Sequence, residues 1–252
     1  MRITWNGTGA AWSYHFGNSS AVIESEGKRL LIDCGHTVPR RLAEMELSLR
    51  DIDMVFVSHL HGDHVYGLEE WGFRSYLIWK ERPQLLIADN LSLSLWRNVL
   101  SGSMAQACDR NCLLRDYFDV TLLHTEQTYT FAPFTVQIRP VVHIPKTPAY
   151  GIKVSDGKTT VAFTCDSRAE ADPWFYEDTT LTFHDCSFTP FRPDTVHAHF
   201  EELCRYPQEW RERTYLVHYD DSIQEKQHDP EWQTALAESK MRLTVPFTPI
   251  EL

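Results

Sequence analysis

The segment His59-Leu60-His61-Gly62-Asp63-His64 sets three imidazoles and a carboxylate within six positions, just beyond the apolar run MVFV. Imidazole nitrogen and carboxylate oxygen are donors that zinc, manganese and iron accept, and a turn leaving a strand can aim alternate side chains inward. A histidine-rich surface turn or tag is the plain alternative. A tag, however, would not sit between a core strand and a long amphipathic pattern. Three further candidates close apolar runs far along the chain: His143 after FTVQIRPVV, Asp166 after TTVAFTC and His218 after TYLV. The seven donors His59, His61, Asp63, His64, His143, Asp166 and His218 exceed the needs of one tetrahedral ion. They fit two divalent ions that share a carboxylate at a spacing of ~3.5–4 Å.

Elements that could position these donors are readable from hydrophobic periodicity. RITW, SAVIES and KRLLIDCG read as strands, the last two as a hairpin around Glu26-Gly27. Pro39 to Glu46 reads as a short helix, MVFVSH as a buried strand and DHVYGLEEWGFRSYLIW as a helix. Strands are expected at PQLLIAD, VTLLH, YTF, FTVQIRPVVH, YGIKVSD and TTVAFTCD, with a helical region around residues 90–115. The last third holds strand LTFHDC, a helix near VHAHFEEL ending before Pro207, strand TYLVHY and a helix DPEWQTALAESK. That final helix has Asp229 as its N-cap and Pro230 at its first position. Strands ending in His or Asp describe the rim of a packed α/β sandwich, with rigid strands below and ligand-bearing loops above. With no internal repeat, linker or low-complexity tract, residues 1–252 read as a single domain.

Composition narrows the partners. The net charge is −11, from 24 basic and 35 acidic residues, and no basic run is present. That disfavours a long nucleic acid, which is held by neutralising phosphates. A small anion remains open, because bound cations reverse the local potential. No stretch approaches the ~20 apolar residues of a membrane span, and MRITWNGTG lacks a secretory leader. A cytoplasmic protein without a membrane partner is expected. The six cysteines are scattered and read as reduced thiols. Cys108 and Cys112 stand four apart and would share a helix face in core or interface packing.

HLHGDH is the HxHxDH signature, and the chain resembles the metallo-β-lactamase superfamily over nearly its whole length. WNGTGAA, LLIDCG and the late LVHY are similar to the tRNase Z-like branch. The resemblance implies an αββα sandwich in which His59, His61 and His143 hold one ion, Asp63, His64 and His218 hold another, and Asp166 bridges. Zinc is the first expectation and manganese the alternative. HDCSF and TVHAHF resemble segments in which an acidic residue orients a histidine that protonates a leaving oxygen. Carried over, Asp185 orients, His197 is the general acid and Asp63 joins the catalytic set. His199 competes with His197, and on one helix only one of the two could face the site. Cys165, next to the bridging residue, is expected in the core because strand neighbours face opposite ways. Asp33 is a candidate for holding a neighbour of the metal site, and Gly7 and Gly9 for a tight turn.

tRNase Z enzymes carry a long arm between the strand histidine and the bridging aspartate. Here His143 and Asp166 stand 23 positions apart, filled by two strands and a Gly157 turn. EEWGFRSY, HDC and the LxHY ending instead resemble the anti-Pycsar proteins, which hydrolyse 3′,5′-cyclic nucleotides such as cyclic CMP and cyclic UMP. The resemblance implies a metal-dependent phosphodiesterase, acting as a homodimer on a small cyclic nucleotide to counter antiphage signalling. Its rivals are tRNase Z-like RNA 3′ processing, lactone or β-lactam hydrolysis, and non-catalytic sequestration of a nucleotide. Trp71, Phe73, Tyr76, Trp79, Tyr117 and Phe118 read as core or dimer contacts, with one or two available to stack a base.

Overall fold

Two antiparallel runs of strands, each continuing into parallel strands, organise the chain. A computed structural model describes residues 1–107, 110–192 and 194–252. In chain order these hold β1 (Arg2–Gly7), β2 (Ser20–Ser25), β3 (Lys28–Ile32), β4 (Met54–Val57), β5 (Gln84–Ala88), β6 (Gln106–Ala107), β7 (Arg110–Asn111) and β8 (Asp119–Leu123). There follow β9 (Tyr129–Phe131), β10 (Phe134–Pro140), β11 (Tyr150–Ser155), β12 (Thr160–Phe163), β13 (Leu181–Asp185), β14 (Thr214–Val217), β15 (Arg242–Leu243) and β16 (Pro249–Glu251). Among the described residues one sheet has the order β16-β1-β2-β3-β4-β5-β8 and the other β15-β14-β13-β12-β11-β10-β9. β1 to β3 are antiparallel and β3, β4, β5 and β8 parallel. β9 to β12 are antiparallel, and β12 to β15 parallel. The halves thus repeat one topology without a sequence repeat, since strand pairing asks only for apolar alternation and not for particular residues.

The parallel strands MVFV and LTFHD are buried at every position, as strands covered on both faces must be. The sheets meet face to face through aromatic rings. Trp5 on β1 lies 5.9 Å from Phe163 on β12 and 5.3 Å from Phe183 on β13. The two phenylalanines stack at 4.9 Å, and each fully buried ring contributes roughly 1.5–3 kcal/mol. Helices Val38–Glu44 and Gly67–Phe73 add Val38, Leu42, Leu68 and Trp71 to the core of the first sheet. A second apolar cluster joins Ala162 and Leu216 of the second sheet to Leu203, Tyr206, Ile223 and Met241. The result is the αββα sandwich.

Local signals held where they were local. Glu26 and Gly27 both have positive φ (48° and 76°) between paired Ser25 and Lys28, a two-residue hairpin turn. The Asp229 carboxylate caps helix Pro230–Ser239 through the Glu231 N–H, at 2.9 Å. Four expectations need correction, and the first is that the helical region expected around residues 90–115 gives way after Met104 to the β6–β7 pair. The helix expected over DHVYGLEEWGFRSYLIW breaks into Gly62–Val65, Gly67–Phe73 and a π-helical Arg74–Trp79, because the Gly67 N–H donates to the Cys34 carbonyl at 2.9 Å. The helix near VHAHFEEL covers only Phe200–Leu203. Ahead of it, Ala198 donates to the Ser167 carbonyl and accepts from Ser187, a strand-like arrangement that takes His197 and His199 off any helix. β12 ends at Phe163 and Cys165 adopts φ 51°, so strand alternation does not govern it, although its side chain does pack against the main core. Cys108 lies outside the described residues; Cys112 is buried and free. No helix among the described residues is long and apolar enough to cross a membrane.

Candidate functional site

The seven expected donors converge at one edge of the sandwich, where the parallel strands end. Asp33 follows β3, Ser58 and His59 follow β4, Asp166 follows β12 by three residues, Asp185 closes β13 and His218 follows β14. His143 stands three residues beyond the end of β10. The His61–His64 loop is seated on the LLIDCG turn, where the Cys34 N–H donates to the His64 carbonyl at 2.8 Å. A Cβ on Gly35 would fall 1.9 Å from the Asp63 carbonyl oxygen, so that contact requires glycine.

Hydrogen bonds fix which nitrogen of His59, His64 and His143 faces inward. His64 Nδ1 donates to Asp33 Oδ2 at 2.8 Å. His59 Nδ1 donates to Ser58 Oγ at 3.0 Å, and that hydroxyl donates to the same Asp33 oxygen at 2.7 Å. Asp33 therefore orients two rings, the role expected of it. His143 Nδ1 donates to the Val196 carbonyl at 2.9 Å. What remains is a set of inward-facing nitrogens, and Nε2 of His59, His64 and His218 is buried without a hydrogen-bond partner. Buried polar atoms left this way call for a partner, and a bound cation is one that would satisfy three together.

The donors group as two overlapping sets. His59, His61, His143 and Asp166 offer ligand atoms within 4.8 Å of one another, as do Asp63, His64, Asp166 and His218. Asp166 belongs to both. This pattern is consistent with a binuclear metal site, and the unpartnered Nε2 atoms fit that use. The electrostatics agree. Burial opposes ionisation of Asp166, yet His218 and His64 hold it well below the usual carboxylate range. Burial would lower the His64 pKa, yet Asp166, Asp63 and Asp33 hold it well above its ordinary value. Against the same burial, Asp166 and Asp185 push His218 up to about 10. His59, by contrast, is lowered by burial and by His64. The carboxylates call for positive charge, which protons supply where ions do not.

Beside this cluster, His197 Nδ1 donates to Asp185 Oδ2 at 2.7 Å. The same oxygen accepts from the Ser167 N–H at 2.9 Å, while Asp185 Oδ1 lies 3.6 Å from His218 Nδ1. Burial would lower the His197 pKa, but Asp185 raises it above its ordinary value. His199 lines the same cleft, yet it turns Nδ1 to the Thr189 carbonyl (3.1 Å) and makes no contact with Asp185. Both histidines therefore face the cleft, contrary to the helical argument, and only His197 joins the acid.

The family model for "Anti-Pycsar protein Apyc1" matches residues 1–241. This chain belongs to the anti-Pycsar Apyc1 family. A Paenibacillus harenae member is 36% identical over 231 residues, covering 90% of this chain and 93% of that protein. A member from Bacillus phage BSP38 is 33% identical, covering 89% and 91%. Among solved structures, the metallo-β-lactamase fold protein YhfI from Bacillus subtilis shares the fold at a TM-score of 0.76 and 19% identity, covering 100% of this chain and 98% of that one. The family chain described here is thus a metallo-β-lactamase-fold hydrolase.

A cleft of about 910 Å³ opens over the cluster, bordered by His61, Asp63, His143, Asp166, His197 and His218. Its outer wall carries Trp12 and Tyr66, both exposed. The aromatic residues singled out from the sequence lie elsewhere. Trp71, Tyr117 and Phe118 are buried in the core, and Phe73, Tyr76 and Trp79 pack against it. In this member of the Apyc1 family Trp12 escaped the sequence reading because it sits in a turn without periodicity, and Tyr66 because it joins two short helices in a stretch that reads as one. The adjacency of Trp12 to the WNGTGAA turn was the available signal.

Proposed function

We propose that this protein hydrolyses 3′,5′-cyclic nucleotides to nucleoside monophosphates, countering cyclic-nucleotide antiphage signalling as its relatives' names suggest. The observation that carries this reading is the His197–Asp185 pair, 2.7 Å apart, on the wall of a cleft above the two overlapping donor sets. His59, His61 and His143 would hold one ion, Asp63, His64 and His218 the other, and Asp166 both. When bound, such ions make water acidic enough to attack near neutral pH and neutralise phosphate charge. His and carboxylate donors suit zinc first and manganese second.

The chain's own residues supply the rest. With Nδ1 committed to Asp185, His197 presents Nε2 to the cleft, and the raised pKa keeps a proton there to give to the leaving ribose oxygen. An alkoxide leaves poorly without that proton, whether from phosphorus or from an acyl carbon; the family match favours a cyclic phosphodiester over a lactone or β-lactam. Between Pro140 and Asp166 lie only β11, β12 and their connections, which supports a small substrate rather than tRNA. The span of the family match supports a single hydrolase domain. We assign it, by the same resemblance, to a homodimer working in the cytoplasm.

The test is product analysis with zinc-loaded protein against cyclic CMP, cyclic UMP, cyclic purine monophosphates and a pre-tRNA. Linear nucleoside monophosphate is the expected product. His197→Ala should lower kcat by ~10²–10⁴-fold with two ions per chain retained. Trimmed RNA, or nucleotide bound but unchanged, would overturn the proposal.

A further inference from the structure

Trp12 is 90% exposed, although it lines the cleft that opens over the buried His/Asp cluster. Large apolar side chains left in water beside a cleft mark binding surfaces, and this one is held in place. The Ala10 N–H donates to the Tyr219 carbonyl at 2.9 Å. On the far side of the loop, Asp221 accepts from Ser13 Oγ (2.5 Å), the Tyr14 N–H (2.9 Å) and the His15 N–H (3.4 Å). Phe16 then docks edge-on to the Tyr219 ring at 5.0 Å. Bonds on both sides of Trp12 thus tie the loop to the segment that carries His218. Tyr66, 60% exposed, lines the same cleft. Its ring covers Gly62, where an added Cβ would come within 2.2 Å of Cε2, so its position is fixed by the loop bearing His61 and Asp63.

We propose that Trp12, assisted by Tyr66, is the stacking platform for the nucleobase of the substrate. The assignment deepens the phosphodiesterase reading and rests on it for the identity of the ligand. A phosphate seated at the His/Asp cluster leaves its base to be placed along the cleft wall, where these rings stand. Every base has a π-face, so stacking gives affinity with little choice between pyrimidine and purine.

The experiment is equilibrium binding to zinc-loaded protein of a hydrolysis-resistant phosphorothioate analogue of 3′,5′-cyclic CMP, and of base-free ribose 3′,5′-cyclic phosphate. Trp12→Ala should weaken the nucleotide roughly 5- to 150-fold, leave the base-free compound unchanged, and be largely rescued in Trp12→Phe. Equal nucleotide affinity in wild type and Trp12→Ala would overturn the platform. So would an altered sedimentation of Trp12→Ala with unchanged affinity, which would make Trp12 a subunit contact. Product formation from cyclic CMP is measured in parallel. Trp12-dependent binding without any product sinks the hydrolytic reading and keeps the platform, whereas turnover with Trp12-independent binding does the reverse.

Discussion

Asp185 serves two histidines at once, with Oδ2 on His197 and Oδ1 towards His218. The first contact sets a pH limit. A general acid works while protonated, so kcat should fall as pH rises past the His197 pKa, which Asp185 raises against the effect of burial. Asp185→Asn removes the charge and should move that alkaline fall to lower pH. A kcat–pH profile of the zinc-loaded variant checks the sign, and an unmoved alkaline limb would separate Asp185 from proton donation. Asp33 shows the same economy, steering His59 through Ser58 and His64 directly. Buried orienting groups of this kind govern metal affinity from outside the coordination sphere.

At the level of elements, the metal loop depends on a turn that tolerates no side chain. Gly35→Ala would place a methyl 1.9 Å from the Asp63 carbonyl. Overpacking of this sort costs about 1–3 kcal/mol, and here it displaces the backbone between His61 and His64. The expected outcome is fewer than two zinc ions per chain by elemental analysis and a Tm lower by several degrees. The donors themselves were legible in the sequence, because an apolar run followed by His or Asp is a local pattern and strand ends gather at one sheet edge. The Asp229 cap and the Glu26-Gly27 turn were legible for the same reason. What escaped depends on distant partners. Ala198 takes its backbone bonds from Ser167 and Ser187, which melts a helix that periodicity favours. Cys165 sits at a left-handed φ that no composition rule announces. Trp12 is placed by Tyr219 and Asp221, more than two hundred positions away.

Across the whole molecule, a buried cluster of like and unlike charges makes stability depend on the ions it holds. Zinc at 100 times its Kd should add about 2.7 kcal/mol, a Tm gain of roughly 5–10 °C for a chain of this size, and a chelator should remove it. His218 gives its own contribution a definite sign with pH. Its folded pKa is raised to about 10, so in chelated protein the stabilisation from its proton is full below the ordinary ~6.5 and gone above about 10. The Tm gap between zinc-loaded and chelated protein should therefore widen with pH, and a gap that narrowed would contradict the proton–metal exchange. The zipper between the Thr8–Ala10 stretch and the His218–Tyr219 stretch has a consequence for synthesis. Thr8 meets Tyr219 across 211 positions, and the His218 N–H donates to the Thr8 carbonyl at 2.8 Å. A chain emerging from the ribosome thus carries its first ligands long before its last. A fragment that stops short of His218 therefore lacks both that expected donor and the partner of the Thr8–Ala10 stretch.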